Sequence, residues 1–105
     1  MFDIIISNGI IIDGTKKPRY HTDLGIKNGN ITAIGDLKNS NSKNIIDARN
    51  LIVAPGFIDI HTHSDLSLLV DPGGESKVFQ GVTTEVTGNC SYSPFPTGNV
   101  SPEIL

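Results

Sequence analysis

His61 and His63 stand one residue apart in Phe57-Ile58-Asp59-Ile60-His61-Thr62-His63, a segment that alternates with the two-residue period of a strand. Phe57, Asp59, His61 and His63 fall on one face, and Ile58, Ile60 and Thr62 on the other. Histidines so spaced project the same way with Cα atoms about 6 to 7 Å apart, close enough for two imidazoles to reach one metal ion or two adjacent ions. The spacing by itself also fits solvent-exposed or core histidines, so it leaves both readings open. An aspartate and two histidines on one side of an apolar strand are costly to bury unless hydrogen bonds or a metal satisfy them. Asp59 either orients a ligand or is a buried, hydrogen-bonded polar group. The chain's single cysteine, Cys90, has no partner for a disulfide, which leaves it as core filler, a reactive thiol or a metal ligand. Its loop-like neighbours Gly88, Asn89 and Ser91 favour the ligand. Glu85 reads as a solvated or packing carboxylate, and His21, beside Tyr20, as a surface residue in a loop.

The elements that must hold these residues fall into two parts. Before Ala54, short β-branched runs alternate with turn residues, the pattern of strands joined by hairpins. Ile4-Ile5-Ile6 and Ile10-Ile11-Ile12 flank Asn8-Gly9, and Leu24-Gly25-Ile26 and Ile31 to Ile34 flank Asn28-Gly29. Asn-Gly supplies the positive φ angles of a type I′ turn, so both pairs predict hairpins in a small antiparallel sheet. The polar stretch Lys38 to Asn44 predicts an exposed loop, with strand pieces at Ile45-Ile46 and Leu51-Ile52-Val53. Pro55 cannot donate to a ladder and marks the entry to a second part. There the His-bearing strand comes first, and Ser64 or Asp65 caps a helical turn through Leu66, Leu68 and Leu69. A second helix follows from Glu75 to Gln80, ended by Gly81 in the left-handed conformation, and then a strand from Val82 to Thr87. Strand, helix and strand predict a βαβ unit with two parallel strands. Ligands at the C-terminal ends of parallel strands are well placed for function, and both His61-His63 and Cys90 fall there. From Gly88 to Leu105 glycine, proline, serine and asparagine predict loop.

At 105 residues, 37% hydrophobic, 18% charged and with a net charge of -3, the chain is globular in composition and too short for more than one soluble domain of ordinary size. The mildly acidic balance, with no basic cluster, argues against a nucleic-acid partner. No apolar run approaches the roughly 20 residues that cross a bilayer, and Met1-Phe2-Asp3 lacks the basic start of a signal peptide, so no membrane partner and a cytoplasmic location are expected.

Pro55 to His63 resembles the first barrel strand of the amidohydrolase superfamily, and the β-rich segment before it resembles that superfamily's small N-terminal β-sandwich. Ser64-Asp65-Leu66, Asp71-Pro72, Gln80-Gly81-Val82-Thr83-Thr84 and Gly88-Asn89-Cys90 narrow the resemblance to the N-acyl-D-amino-acid deacylases, over nearly the whole chain. The resemblance implies residues 1–54 as part of the β-sandwich and residues 55–105 as the first two strands of a TIM-like (β/α)8 barrel. It implies a zinc hydrolase that cleaves the amide of an N-acyl-D-amino acid, with His61, His63 and Cys90 as metal ligands and one or two Zn2+ ions in a complete site. Asp59, Ser64 and Asp65 are expected beside the ligands or on the substrate side. Zinc lowers the pKa of a bound water from about 16 to about 7 and polarises a carbonyl, and a thiolate suits this borderline-soft ion. Ser91 departs from the family, in which a glycine commonly follows the cysteine.

A barrel needs about 250 residues, and this chain supplies two strands of eight. Further histidines and the aspartate general base come from later strands in the family, so no catalytic residue is expected within these residues. The chain is expected to be the N-terminal piece of a longer enzyme, inactive in isolation, with open strand edges prone to aggregation. Two other readings compete with it. A dihydroorotase-like or hydantoinase-like cyclic amidase shares the first strand but has no need of Cys90, and a non-catalytic β-rich binding module would carry the histidines as structural residues.

Overall fold

The structure is a computed structural model that describes residues 1–93; the loop expected beyond them lies outside the described residues. Two compact units divide the chain, Met1–Pro55 and Gly56–Leu105.

The first unit is built on β1 (Phe2–Ile11), β2 (Tyr20–Lys27), β3 (Asn30–Gly35), β4 (Ser42–Asp47) and β5 (Ile52–Val53). The strand order is β3-β2-β1-β4, with β5 also on β1. The isoleucine-rich β1 is the central strand, antiparallel to β2 along its length and parallel first to β4 and then to β5. The sheet is therefore mixed rather than the small antiparallel sheet expected.

The hairpin expected at Asn8-Gly9 does not form, and β1 runs straight through it. Asn8 takes a φ of 61°, but Gly9 is not among the positive-φ glycines, so the pair of angles that a type I′ turn requires is missing. Instead the register with β2 shifts between Ile6 and Gly9, a bulge whose freed Asn8 N–H donates to the Asp23 carboxylate at 2.9 Å. Asp23 is buried, and its other oxygen accepts the Leu37 N–H at 3.0 Å. The second hairpin forms as the sequence predicts, because Asn28 and Gly29 both take positive φ, 51° and 74°, between paired Lys27 and Asn30. His21, expected in a loop, lies in β2 opposite Ile10 and is exposed. The predicted loop at Lys38 to Asn44 is shorter than expected, since Ser42, Lys43 and Asn44 join β4; polar residues suit a strand at the sheet edge.

In the second unit β6 (Phe57–Asp59) and β7 (Val82–Glu85) pair in parallel, with α1 (Ser67–Val70) and α2 (Glu75–Val78) between them. The alternation predicted to run to His63 stops at Asp59, whose Oδ1 accepts the His61 backbone N–H at 3.2 Å. A side chain that satisfies the backbone locally competes with the ladder and turns the chain out of it. Neither Ser64 nor Asp65 caps α1; the N-cap is Leu66, without a side-chain hydrogen bond. Gly81 does stand beyond α2 with a φ of 83°, donating its N–H to the Val78 carbonyl at 2.9 Å.

Among the described residues the buried apolar side chains are Ile5, Ile11, Leu24 and Ala48, all in the first unit, whereas the buried residues of the second unit are the polar Thr62 and Asp65. Phe57, Ile58 and Ile60 are 65%, 63% and 75% exposed, so the apolar residues of the β6 segment lack cover on either face. Among the described residues, polar contacts rather than a hydrophobic core therefore hold the segments that carry the histidines and the cysteine.

Candidate metal centre

Because β6 and β7 are parallel, the segments that leave their C-terminal ends emerge side by side. Two backbone bonds continue the pairing: Val86 N–H donates to the Asp59 carbonyl at 2.8 Å, and Thr62 N–H to the Val86 carbonyl at 3.3 Å. Asn89 then stitches the two segments together, its Nδ2 donating to the Val86 carbonyl at 2.8 Å and to the Thr62 carbonyl at 3.2 Å. Asp65 is the second clasp. It is buried, and its Oδ1 accepts the Gly88 N–H at 2.8 Å, while its Oδ2 is buried with no hydrogen-bond partner among the described residues. Ser64 Oγ and Thr62 Oγ1 share a hydrogen bond of 2.8 Å inside the first segment.

These clasps bring His61, His63 and Cys90 together, with one ligand atom of each lying within 4.8 Å of the others, all three residues exposed. Cys90 Sγ is 3.3 Å from His61 Nε2. The two imidazoles meet edge to face with centroids 5.4 Å apart, and Tyr92 stands 6.1 Å from His63 in a similar arrangement. Asp59 lies below them, its Oδ2 paired with the Lys77 ammonium and its Oδ1 with the His61 N–H. The hydrogen bond from Lys77, reinforced by that from His61, holds the Asp59 carboxyl below the usual carboxylate range. Ser64 and Asp65 hold backbone and neighbouring side chains rather than joining the three donors.

Two imidazoles and a thiol form a donor set suited to zinc. Around one tetrahedral zinc such atoms lie about 3.4 to 3.6 Å apart, so the present spread of up to 4.8 Å is wider by roughly an ångström, and three exposed side chains can close it by small rotations. The residues fit the ion.

Sequence spacing finds the three donors but not what assembles them. Thr62 falls on the opposite face of an ideal strand, Tyr92 carries no signal of its own, and Lys77 is an ordinary helix residue until the fold sets it beside Asp59. Of the two readings of Glu85, solvated or packing, the packing one is nearer, because its Oε2 is buried with no hydrogen-bond partner among the described residues.

Backbone angles explain the glycine preference next to Cys90. The chain enters this turn with Gly88 at φ 80°, and Cys90 and Ser91 follow at φ 56° and 59°, the left-handed region that side chains resist. Ser91→Gly is expected to stabilise the chain by about 0.5 to 1 kcal/mol after glycine's extra chain entropy is counted, read as a higher urea midpoint. An unchanged or lower midpoint would mean that the serine is not strained there.

The profile of the Amidohydrolase family matches residues 44–99, and that of the Urease alpha-subunit, N-terminal domain, matches residues 1–59. The D-aminoacylase of Alcaligenes xylosoxydans xylosoxydans is 45% identical over 101 residues, which cover 96% of this chain and 21% of that protein. Among solved structures, the N-acyl-D-glutamate deacylase of Bordetella bronchiseptica, complexed with zinc and a phosphonate mimic of the tetrahedral intermediate, superposes with a TM-score of 0.87 at 46% identity, over 94% of this chain and 22% of that one. The L-hydantoinase of Arthrobacter aurescens superposes with a TM-score of 0.71 at 29% identity, over 83% and 20%. The chain thus spans about a fifth of the length of these relatives.

Proposed function

Because the chain belongs to the amidohydrolase family, we propose that it contributes the first metal-binding strands of a zinc-dependent hydrolase, which cleaves the amide of N-acyl-D-amino acids to a carboxylate and a free D-amino acid. The observation that carries this reading is the convergence of His61, His63 and Cys90 at the C-terminal ends of two parallel strands. Residues 1–54 serve as part of a small β-sandwich, and residues 55–105 as the first two strands of a TIM-like barrel. Apolar residues left open on both faces of the β6 segment support the barrel, whose parallel strands are covered on both sides.

His61, His63 and Cys90 would hold one ion or share in holding two. When bound, zinc supplies Lewis acidity toward the scissile carbonyl and makes a water acidic enough to attack near neutral pH. This chain's residues set the frame: Asp59 fixes the His61 backbone, while Asp65 and Asn89 fix the turn that presents the thiol. The general base belongs to a later strand. The cytoplasm, where an unpaired thiol stays reduced, is the compartment that suits Cys90. The substrate is a small molecule, and neither nucleic acid nor membrane is a partner; among the described residues no helix is long and apolar enough to cross a membrane.

The test is zinc analysis and amine release from N-acetyl-D-amino acids and their L-isomers, using the native polypeptide that begins Met1-Phe2-Asp3. Bound zinc with D-selective release is expected. Zinc-loaded protein that releases amine from neither series would overturn the reading.

A further inference from the structure

Asp59 and Glu85 are partners across the parallel β6–β7 register, which puts two carboxylate side chains on the same face at the strand ends that lead into the segments carrying His61 and Cys90. Neither is freely solvated: Asp59 has only 24% of its side chain exposed, and one Glu85 oxygen is fully buried without a hydrogen-bond partner among the described residues. Like charges on cross-strand neighbours push the strands apart. Lys77 of α2 is the cation that pairs with Asp59, and the Glu85 charge also acts on it. Its ammonium pairs with Asp59 Oδ2, its side chain is 35% exposed, and the hydrogen bond to Asp59 together with the charges of Asp59 and Glu85 holds it protonated above the usual lysine range.

We propose that Lys77 is a positioning residue for the metal centre, neutralising the Asp59–Glu85 pair so that the ends of β6 and β7 stay close enough for His61 and Cys90 to share an ion. The inference rests on the reading of His61, His63 and Cys90 as ligands. Lys77 acts at two removes: it fixes the Asp59 carboxylate, whose other oxygen holds the His61 N–H, and it screens Glu85, one residue before the Val86 backbone that carries both ladder bonds to the histidine segment. Without it, Asp59 is free to rotate off the His61 amide and repulsion opens the strand ends.

The experiment is Co2+ titration of the full chain, read by the thiolate-to-cobalt absorption band, with far-UV circular dichroism as the folding control. Lys77→Met is expected to weaken Co2+ binding about 10- to 100-fold, the usual cost of losing a group that orients ligands. Lys77→Arg, which keeps the charge, is expected to bind close to wild type, and Lys77→Met/Glu85→Gln, which removes the repulsion but not the loss of the Asp59 contact, to recover part of the affinity. A role confined to helix packing would not be rescued by a change on β7. Wild-type affinity in Lys77→Met, or no recovery in the double variant, overturns the proposal. If Lys77→Met fails to fold, the proposal still requires the arginine and double variants to fold and bind, and falls if they do not. Absence of a thiolate band in wild type would instead overturn the ligand reading. Hydrogen exchange of the His61 amide in the metal-free chain then decides the Lys77 role: faster in Lys77→Met alone supports it, and equal in all variants overturns it.

Discussion

Replacing Cys90 with alanine in the native polypeptide is expected to lower zinc affinity by more than about 100-fold, since loss of a ligand exceeds the 10- to 100-fold cost of losing a group that merely orients one. The thiol lies 3.3 Å from His61 Nε2 and is the only donor that the segment after β7 brings to the cluster among the described residues. Its removal leaves two imidazoles, with no other histidine or carboxylate joined to the cluster among the described residues. The measurement is zinc content after dialysis against a chelator of graded strength, compared with a His61→Ala/His63→Ala double variant. The result also separates two branches of one family. On the cyclic-amidase reading Cys90 is not a ligand, and Cys90→Ala is then expected to retain its zinc. Retention in Cys90→Ala with loss in the double histidine variant would move the chain to that branch. Retention in both would leave the histidines structural.

Gly56→Ala is expected to destabilise the second unit by about 1 to 3 kcal/mol, as overpacking does elsewhere. Gly56 precedes β6, where Phe57 N–H donates to the Gly81 carbonyl at 2.8 Å and starts the pairing with β7. A Cβ built on Gly56 overlaps the Thr83 side chain, whose Oγ1 and Cγ2 are the nearest atoms. The cost is steric, because Gly56 is not in the left-handed region. With only two short strands and no buried apolar side chain of its own among the described residues, this unit has little reserve against such a displacement. Urea unfolding of the chain reads the loss. Thr83→Ala, which deletes the two closest atoms, is expected to restore part of the midpoint in the double variant; no restoration would shift the cause from Thr83 to the backbone.

Legibility followed the range of the interactions involved. The Asn28-Gly29 hairpin and the helix at Glu75, found over Glu75–Val78, were readable because each rests on contacts among near neighbours, and the strand at Val82, found over Val82–Glu85, because its β-branched residues favour extended backbone. The same rule misread Asn8-Gly9, where the identical dipeptide became a bulge. What decided it was the Asp23 carboxylate from the next strand and the pairing of β1 on both sides, neither of which is local. Asp65 shows the same division. Its position before an apolar run predicts a helix cap, yet its carboxylate is spent on the Gly88 N–H of a segment that only parallel pairing brings near.

His61, His63 and Cys90 were identifiable as donors from residue type and motif, because the chemistry of imidazole and thiolate belongs to the side chain itself. Their meeting was not. The two histidines leave the strand where Asp59 draws back the His61 N–H, and the thiol reaches them through a left-handed turn held by Asp65 and Asn89. Residue identity thus determined which groups could bind a metal and the alternation that starts β6. Tertiary structure alone decided their separation, the burial of one Glu85 oxygen and the ion pair of Lys77 with Asp59, because distance and desolvation depend on which strands become neighbours.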